Sequence, residues 1–280
     1  MEQTNHADTG DLQRSILLFG KRPIRVVMPL LCLVLTVGCG WQEPKHFTHE
    51  VLNRMTPIKD QGESEICWAY AMLAAIETEH LSWGDSVNLS PYYIEKMMEK
   101  ESAAPKNKHG MGVTLIRLIQ KYGIVGYDAM RTVETPAPQW VFMLGAAYTP
   151  QEFARSVCAP NEYIALTSTD REPYYKKVDI DQPANWLHDR FYNIPMDTLL
   201  TKTEQAVREH HGVCWESKEH AMAIVGIAHD DSGEPFFIMK NSWGTEDPYK
   251  GLTYLSFEDF CDQTLAIEMP LAFFQTAMVR

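Results

Sequence analysis

The chain has 280 residues, 45% hydrophobic and 22% charged, enough apolar material for one large domain or for two lobes around a cleft. Its formal net charge of −12, with no long basic run, argues against a nucleic-acid binder that follows phosphates. An acidic balance by itself mostly promotes solubility.

Lys21, Arg22 and Arg25 precede an apolar run from Val26 to Val37 that ends in Gly38-Cys39-Gly40. A run of about a dozen residues is too short to span a bilayer and suits the hydrophobic region of a secretory signal. A small residue followed by cysteine just beyond it resembles a bacterial lipobox, although Thr36 stands where an aliphatic residue is usual. The expectation is export to the cell envelope, with Cys39 acylated after cleavage and the protein held to a membrane through that lipid. Plain signal cleavage and a short uncleaved anchor are the alternatives. Residues 1–39 are thus read as signal and 40–55 as linker.

The first helix is predicted to begin near Ser64, a good N-cap, with Glu65 in its first turn and Trp68, Met72, Ala75 and Ile76 at helical spacing. This puts Cys67 in the first turn, where unpaired N–H groups and the helix dipole favour a thiolate. Asn88-Leu89-Ser90-Pro91 opens a second helix through Tyr92, Ile94 and Met98. Gly110-Met111-Gly112 precedes a third, carrying Leu115, Ile116 and Ile119 and closed by Gly123. Pro136 to Pro195 reads as irregular, with short strands around Tyr163–Leu166, followed by a helix near Thr198–Glu209. Ala221 to Ala228 and Phe236 to Met239 are apolar runs flanking the turn chemistry of Asp230-Asp231-Ser232-Gly233-Glu234, a buried hairpin. Folding that hairpin sets His220 roughly opposite Asn241. The fold class is α+β, two lobes facing a cleft: a helical lobe over about 56–135 and a β-rich lobe over about 136–280.

Beyond Cys32, Cys39 and Cys67, the remaining Cys158, Cys214 and Cys261 cannot all pair, so a dense disulfide framework is not expected. One bridge among the three is open. His210-His211 reads as a solvated helix end, no group of residues has metal-ligand spacing, and no cofactor is called for.

Cys67, His220 and Asn241 supply a thiol, an imidazole and a carboxamide in that order, with His220 roughly 150 residues beyond the thiol. A thiolate nucleophile needs such a set: the ring holds and later returns the thiol proton, and the amide orients the ring. Gln61 six residues before Cys67, Cys67-Trp68-Ala69, His220-Ala221-Met222 and Asn241-Ser242-Trp243-Gly244 resemble the motifs of papain-like cysteine peptidases. Asn88-Leu89-Ser90, Lys121-Tyr122-Gly123-Ile124-Val125, Thr149-Pro150-Gln151-Glu152-Phe153, Asn193-Ile194-Pro195 and Val213-Cys214-Trp215-Glu216 resemble more narrowly the bleomycin hydrolase and aminopeptidase C branch.

The resemblance implies a papain-like fold and hydrolysis of peptides or partly unfolded proteins. Cys67 would be nucleophile, His220 general acid/base and Asn241 its orienter. Gln61 would donate to the oxyanion, Trp243 would shield the His220–Asn241 bond, and Gly112 would contact the substrate backbone. This sequence departs from the family at Glu65, where glycine is usual, and at Ser64, where many relatives carry a bridging cysteine. The segment inserted before the histidine in bleomycin hydrolases is missing, so their hexamer does not carry over and the oligomeric state is left open. The C-terminal residues Leu271–Arg280 do not match those that make the relatives aminopeptidases. A catalytically silent peptide-binding module and a Cys-His acyl transferase are the competing functions. The intact Gln, Cys, His and Asn set disfavours the first, and Asn241 in place of an acid disfavours the second.

Overall fold

The computed structural model describes residues 44–279, so the expected signal segment and Cys39 lie outside the described residues. The first helix, α1 (Cys67–Ser82), is buried on every side from Trp68 to Leu81. All-round burial marks a helix packed between two layers. On one side lie α2 (Pro91–Met98), α3 (Gly112–Tyr122) and α4 (Pro150–Val157); on the other lies the sheet. Fully burying Met72, Leu73 and Ile76 contributes about 1.5–3 kcal/mol each, so this helix anchors both halves.

Its start differs from expectation. α1 begins at Cys67, with Ile66 at the N-cap and no side-chain cap. Ser64 lies in a turn closed by its N–H to the Gln61 carbonyl (3.1 Å). Cys67 is the first helical residue, and its own N–H and that of Trp68 lie by its sulfur. α2 opens as expected, Ser90 Oγ accepting from the Tyr93 N–H at 3.3 Å.

Nine of the described strands form one sheet. The last third supplies its centre: β7 (Val213–Glu216), β8 (Ala221–Asp230), β9 (Pro235–Lys240), β10 (Leu252–Ser256) and β11 (Ala266–Pro270), in the order β10-β9-β8-β7-β11. The sheet continues through β4 (Tyr163–Thr167), β6 (Arg190–Asn193) and β5 (Lys176–Asp179). β8 and β9 pair antiparallel, with Ala223 opposite Lys240 and Ile224 opposite Met239, which is the predicted hairpin.

Two boundaries shift. Residues 47–52, expected to be linker, form β1 (Phe47–Leu52), which pairs antiparallel with the far half of β8. The segment expected to be irregular holds a small hairpin of β2 (Val141–Met143) and β3 (Ala146–Tyr148), and then α4. α4 packs into the helical half rather than the β-rich half, through Phe153, Ala154 and Val157. Its start is a capping box: Thr149 Oγ1 accepts from the Glu152 N–H, and Glu152 Oε2 accepts from the Thr149 N–H at 2.8 Å.

α5 (Met196–Arg208), α6 (Phe257–Gln263) and α7 (Leu271–Val279) complete the β-rich half. The histidine pair after α5 is not merely solvated. His210 Nδ1 meets Asn53 Oδ1 at 2.7 Å and His211 Nδ1 meets Glu79 at 3.1 Å, so both tie the helix end inward. Beside them Gly212 touches α1 so closely that a Cβ would lie 1.9 Å from the Ala75 carbonyl oxygen. Cys67, Cys158, Cys214 and Cys261 are all unbridged. No described helix is long and apolar enough to cross a membrane.

Candidate active site

The cleft runs where the N-terminus of α1 meets the start of β8. His220 is held there by a tight turn: the Ser217 N–H donates to the His220 carbonyl (2.8 Å), and the His220 N–H donates to Ser217 Oγ (3.0 Å). On the neighbouring strand's end, the Asn241 N–H is bonded to the Gly251 carbonyl (3.0 Å). Asn241 Oδ1 lies 2.9 Å from His220 Nε2 and also accepts the Ser242 N–H at 2.8 Å. The Ser242 donor identifies that atom as the amide oxygen, so His220 must carry its proton on Nε2. Nδ1 is then the basic nitrogen, free to take a proton from a thiol. Trp243 lies against the ring (centroids 4.7 Å apart, planes at 24°) with 62% of its own surface exposed.

The Cys67 sulfur is within reach of the backbone N–H groups of Ala221, Trp68 and Cys67 itself, which stabilise its anion. The sulfur thus lies beside the residue that follows His220, and Cys67 and His220 line one cavity. Burial is the larger influence and pushes the thiol up, and the Glu216 carboxylate adds to that. Burial likewise lowers His220, against the opposing bond to Asn241. Desolvation thus favours the neutral thiol–imidazole pair over the ion pair.

Gln61 links the two halves. Its N–H donates to the Ser242 carbonyl (2.8 Å), its Oε1 accepts from Ser242 Oγ (2.6 Å), and its Nε2 donates to the Ser64 carbonyl (2.7 Å). One Nε2 hydrogen is therefore committed to the loop and the other is not.

Gly112 is not where the sequence reading put it. It is buried at the first position of α3, its N–H donating to Glu216 Oε1 at 2.8 Å. Its missing Cβ makes room for Glu268, whose Oε2 would lie 2.7 Å from one. The residues that line the cleft there are His109, Gly110 and Met111. Glu65 has its carboxylate 56% exposed and paired with His109 Nε2 at 3.4 Å.

The carboxyl that faces the thiol is Glu216, a role the sequence reading missed. The signal was present: Cys214 and Glu216 fall two apart on a strand whose surroundings are apolar, so they share a face. Cys214, Glu216 and Glu268 form a buried group with donor atoms within 4.8 Å of one another.

A family model described as papain family cysteine protease matches residues 44–269. The thiol protease SEN102 of a Hemerocallis species is 24% identical over 194 residues, 69% of this chain and 48% of that protein. Cathepsin L1 of Drosophila melanogaster is 23% identical over 233 residues, 81% of this chain and 58% of that protein. The chain spans about half the length of the curated relatives it matches. The crystal structure of PepW from Lactobacillus rhamnosis shares the fold at a TM-score of 0.62 and 14% identity, covering 81% of this chain and 82% of that one. The chain belongs to the papain family of cysteine proteases, with that family's mixed fold of helices and sheet.

Proposed function

We propose that this protein hydrolyses peptide bonds, with Cys67 as nucleophile and His220 as its general acid/base. The observation that carries the reading is the His220 Nε2–Asn241 Oδ1 bond, which leaves Nδ1 basic on a ring that lines the same cavity as Cys67, whose sulfur meets the Ala221 N–H. The thiol proton passes to Nδ1 as sulfur attacks the substrate carbonyl carbon. The oxyanion is met by the Cys67 N–H and the uncommitted Gln61 Nε2 hydrogen. The imidazolium protonates the leaving amine, and the C–N bond breaks to give a thioester. Water, deprotonated by His220, releases the acid and restores the thiol. A silent peptide-binding module would leave the tautomer set by Asn241 without a purpose.

The motifs around Asn88, Lys121, Thr149 and Asn193 support the bleomycin hydrolase and aminopeptidase C branch as the narrower assignment, with removal of N-terminal residues as the finer activity. The basic cluster, the apolar run to Val37 and Cys39 support export and a lipid anchor. Loss of fatty-acid labelling of the full chain on Cys39→Ser would be the expected result, and retained labelling would refute the anchor.

The test of hydrolysis is digestion of a peptide library by the full chain, with free and blocked N-termini compared. Cleavage abolished in Cys67→Ala is expected, and cleavage by that variant would overturn the reading. Gln61→Ala should lower kcat by about 10²–10³, the usual loss for one oxyanion donor.

A further inference from the structure

β11 and β7 lie side by side antiparallel, with Glu268 directly opposite Cys214 and Ala266 opposite Glu216. Side chains alternate along a strand, so Cys214, Glu216 and Glu268 point to one face, under the N-terminus of α3. Glu216 is 3% exposed and Glu268 0%. Glu216 Oε1 accepts the Gly112 N–H, whereas Glu216 Oε2 and both Glu268 oxygens have no partner outside the group itself, in which Glu268 meets Glu216 and Cys214. No cation among the described residues forms an ion pair with either. Buried carboxyls in this state are costly, and they call for a proton or a cation.

A cavity of about 50 Å³ opens from Cys67, Trp68, Gly110, Met111 and His220 onto Glu216. Glu65 and Glu219 also line it. Lys218 alone among its lining residues bears a fixed positive charge, and that residue is exposed. The volume admits a small head group, since on this measure one water needs only about 10–15 Å³. Of the three buried groups only Glu216 reaches the lining; Cys214 and Glu268 do not, which favours an organic cation entering from the cleft over a metal ion held by all three.

We propose that this cavity binds a cationic head of the peptide substrate, an ammonium or guanidinium, with the Glu216 carboxyl as its charge partner and Glu268 as the carboxyl behind. The inference rests on the peptidase reading for its substrate and adds a substrate class: peptides with a positive charge next to the scissile bond. Burial raises Glu216 to about 8 and Glu268 in the same direction, so the empty cavity holds protons near neutrality. An arriving cation replaces the proton on Glu216, which leaves to solvent. The charge comes either from a lysine or arginine side chain or from the peptide's own N-terminus.

The experiment measures binding to the full-chain Cys67→Ala protein, which needs no catalysis, alongside cleavage by the wild type. Positional peptide sets compare lysine with acetyl-lysine, arginine with citrulline, and free with acetylated N-termini. At one position the charged form should bind and cleave roughly 10- to 100-fold better, the range for a charge-assisted hydrogen bond. The side-chain pairs and the N-terminal pair separate the two sources. The preference should collapse in Glu216→Gln added to Cys67→Ala; the wild-type comparison stands alone if that variant fails to fold.

Equal binding of charged and neutral peptides at every position would overturn the inference while leaving hydrolysis intact. Charged preference in binding without any cleavage would overturn the peptidase reading and leave the cavity's role standing. Zinc added to the Cys67→Ala protein is the third arm. Stoichiometric binding lost in Cys214→Ser, with no cation preference, would assign the group to a metal instead.

Discussion

At the residue scale, the charge that the thiol meets is set by Glu216. The loop acid that departs from the family pattern, Glu65, is not among the charges acting on Cys67 and points outward to His109. In the rate–pH profile for iodoacetamide, Glu216→Gln should move the Cys67 titration to lower pH. The gain should be greatest above about pH 8, where Glu216 is ionised. Glu65→Gly should shift it less. Coincident Glu216→Gln and wild-type profiles would contradict this assignment. Cys67, His220 and Asn241 could be read as a set because a thiolate nucleophile needs those side-chain types, while their order and the roles given to Gln61 and Trp243 came with the family resemblance. Gly112 could not: its neighbour Gly110 offers the same absence of a side chain, and only packing decides which one faces Glu268.

At the scale of elements, α1 carries the site because it is clamped from both sides. Its Glu77 is fully buried, accepting the Leu89 N–H (2.6 Å), the Thr56 hydroxyl and Lys59 Nζ (2.8 Å), with Lys240 Nζ at 3.9 Å. Lys240 precedes Asn241, and burial lowers it to about 8. Glu77→Ala strands two buried cations, so chemical denaturation should show a loss of about 3–5 kcal/mol. Glu77→Gln, which keeps an acceptor for the Leu89 N–H, should lose less. Gly212→Val should also destabilise, by about 1–3 kcal/mol or more, because β7 would have to leave the Ala75 carbonyl. The hairpin of β8 and β9 was legible because two apolar runs flank a turn cluster. β1 was not: its exposed and half-buried residues lack a clean alternation, and its partner is far along the chain. α4 hid behind the prolines around it, although Thr149-Pro150-Gln151-Glu152 spells a capping box.

For the whole molecule, the chain crosses between the halves more than once: β1 joins the sheet before α1 begins, and α4 returns to the helices after the first strands. A division at one point near residue 135 therefore set α4 apart from the helices it packs with, and β1 fell in the stretch read as linker. The buried acids give the fold a pH signature. Between about 4.5 and about 8 the folded state keeps the Glu216 proton that the unfolded chain has released, so this group's contribution to stability is full below that window and is lost as pH rises through it. Thermal melts should show Tm declining toward pH 8 and flattening in Glu216→Gln; a wild-type Tm that climbs over this range would contradict the buried-acid account. The central claim is that one sulfur of the four described here is the nucleophile. An epoxysuccinyl probe added to the native full chain, followed by peptide mass mapping, reads this directly. The account predicts stoichiometric alkylation at Cys67, slowed strongly in His220→Ala, with Cys158, Cys214 and Cys261 untouched. Labelling spread over those cysteines, or undiminished in Cys67→Ala, would contradict it.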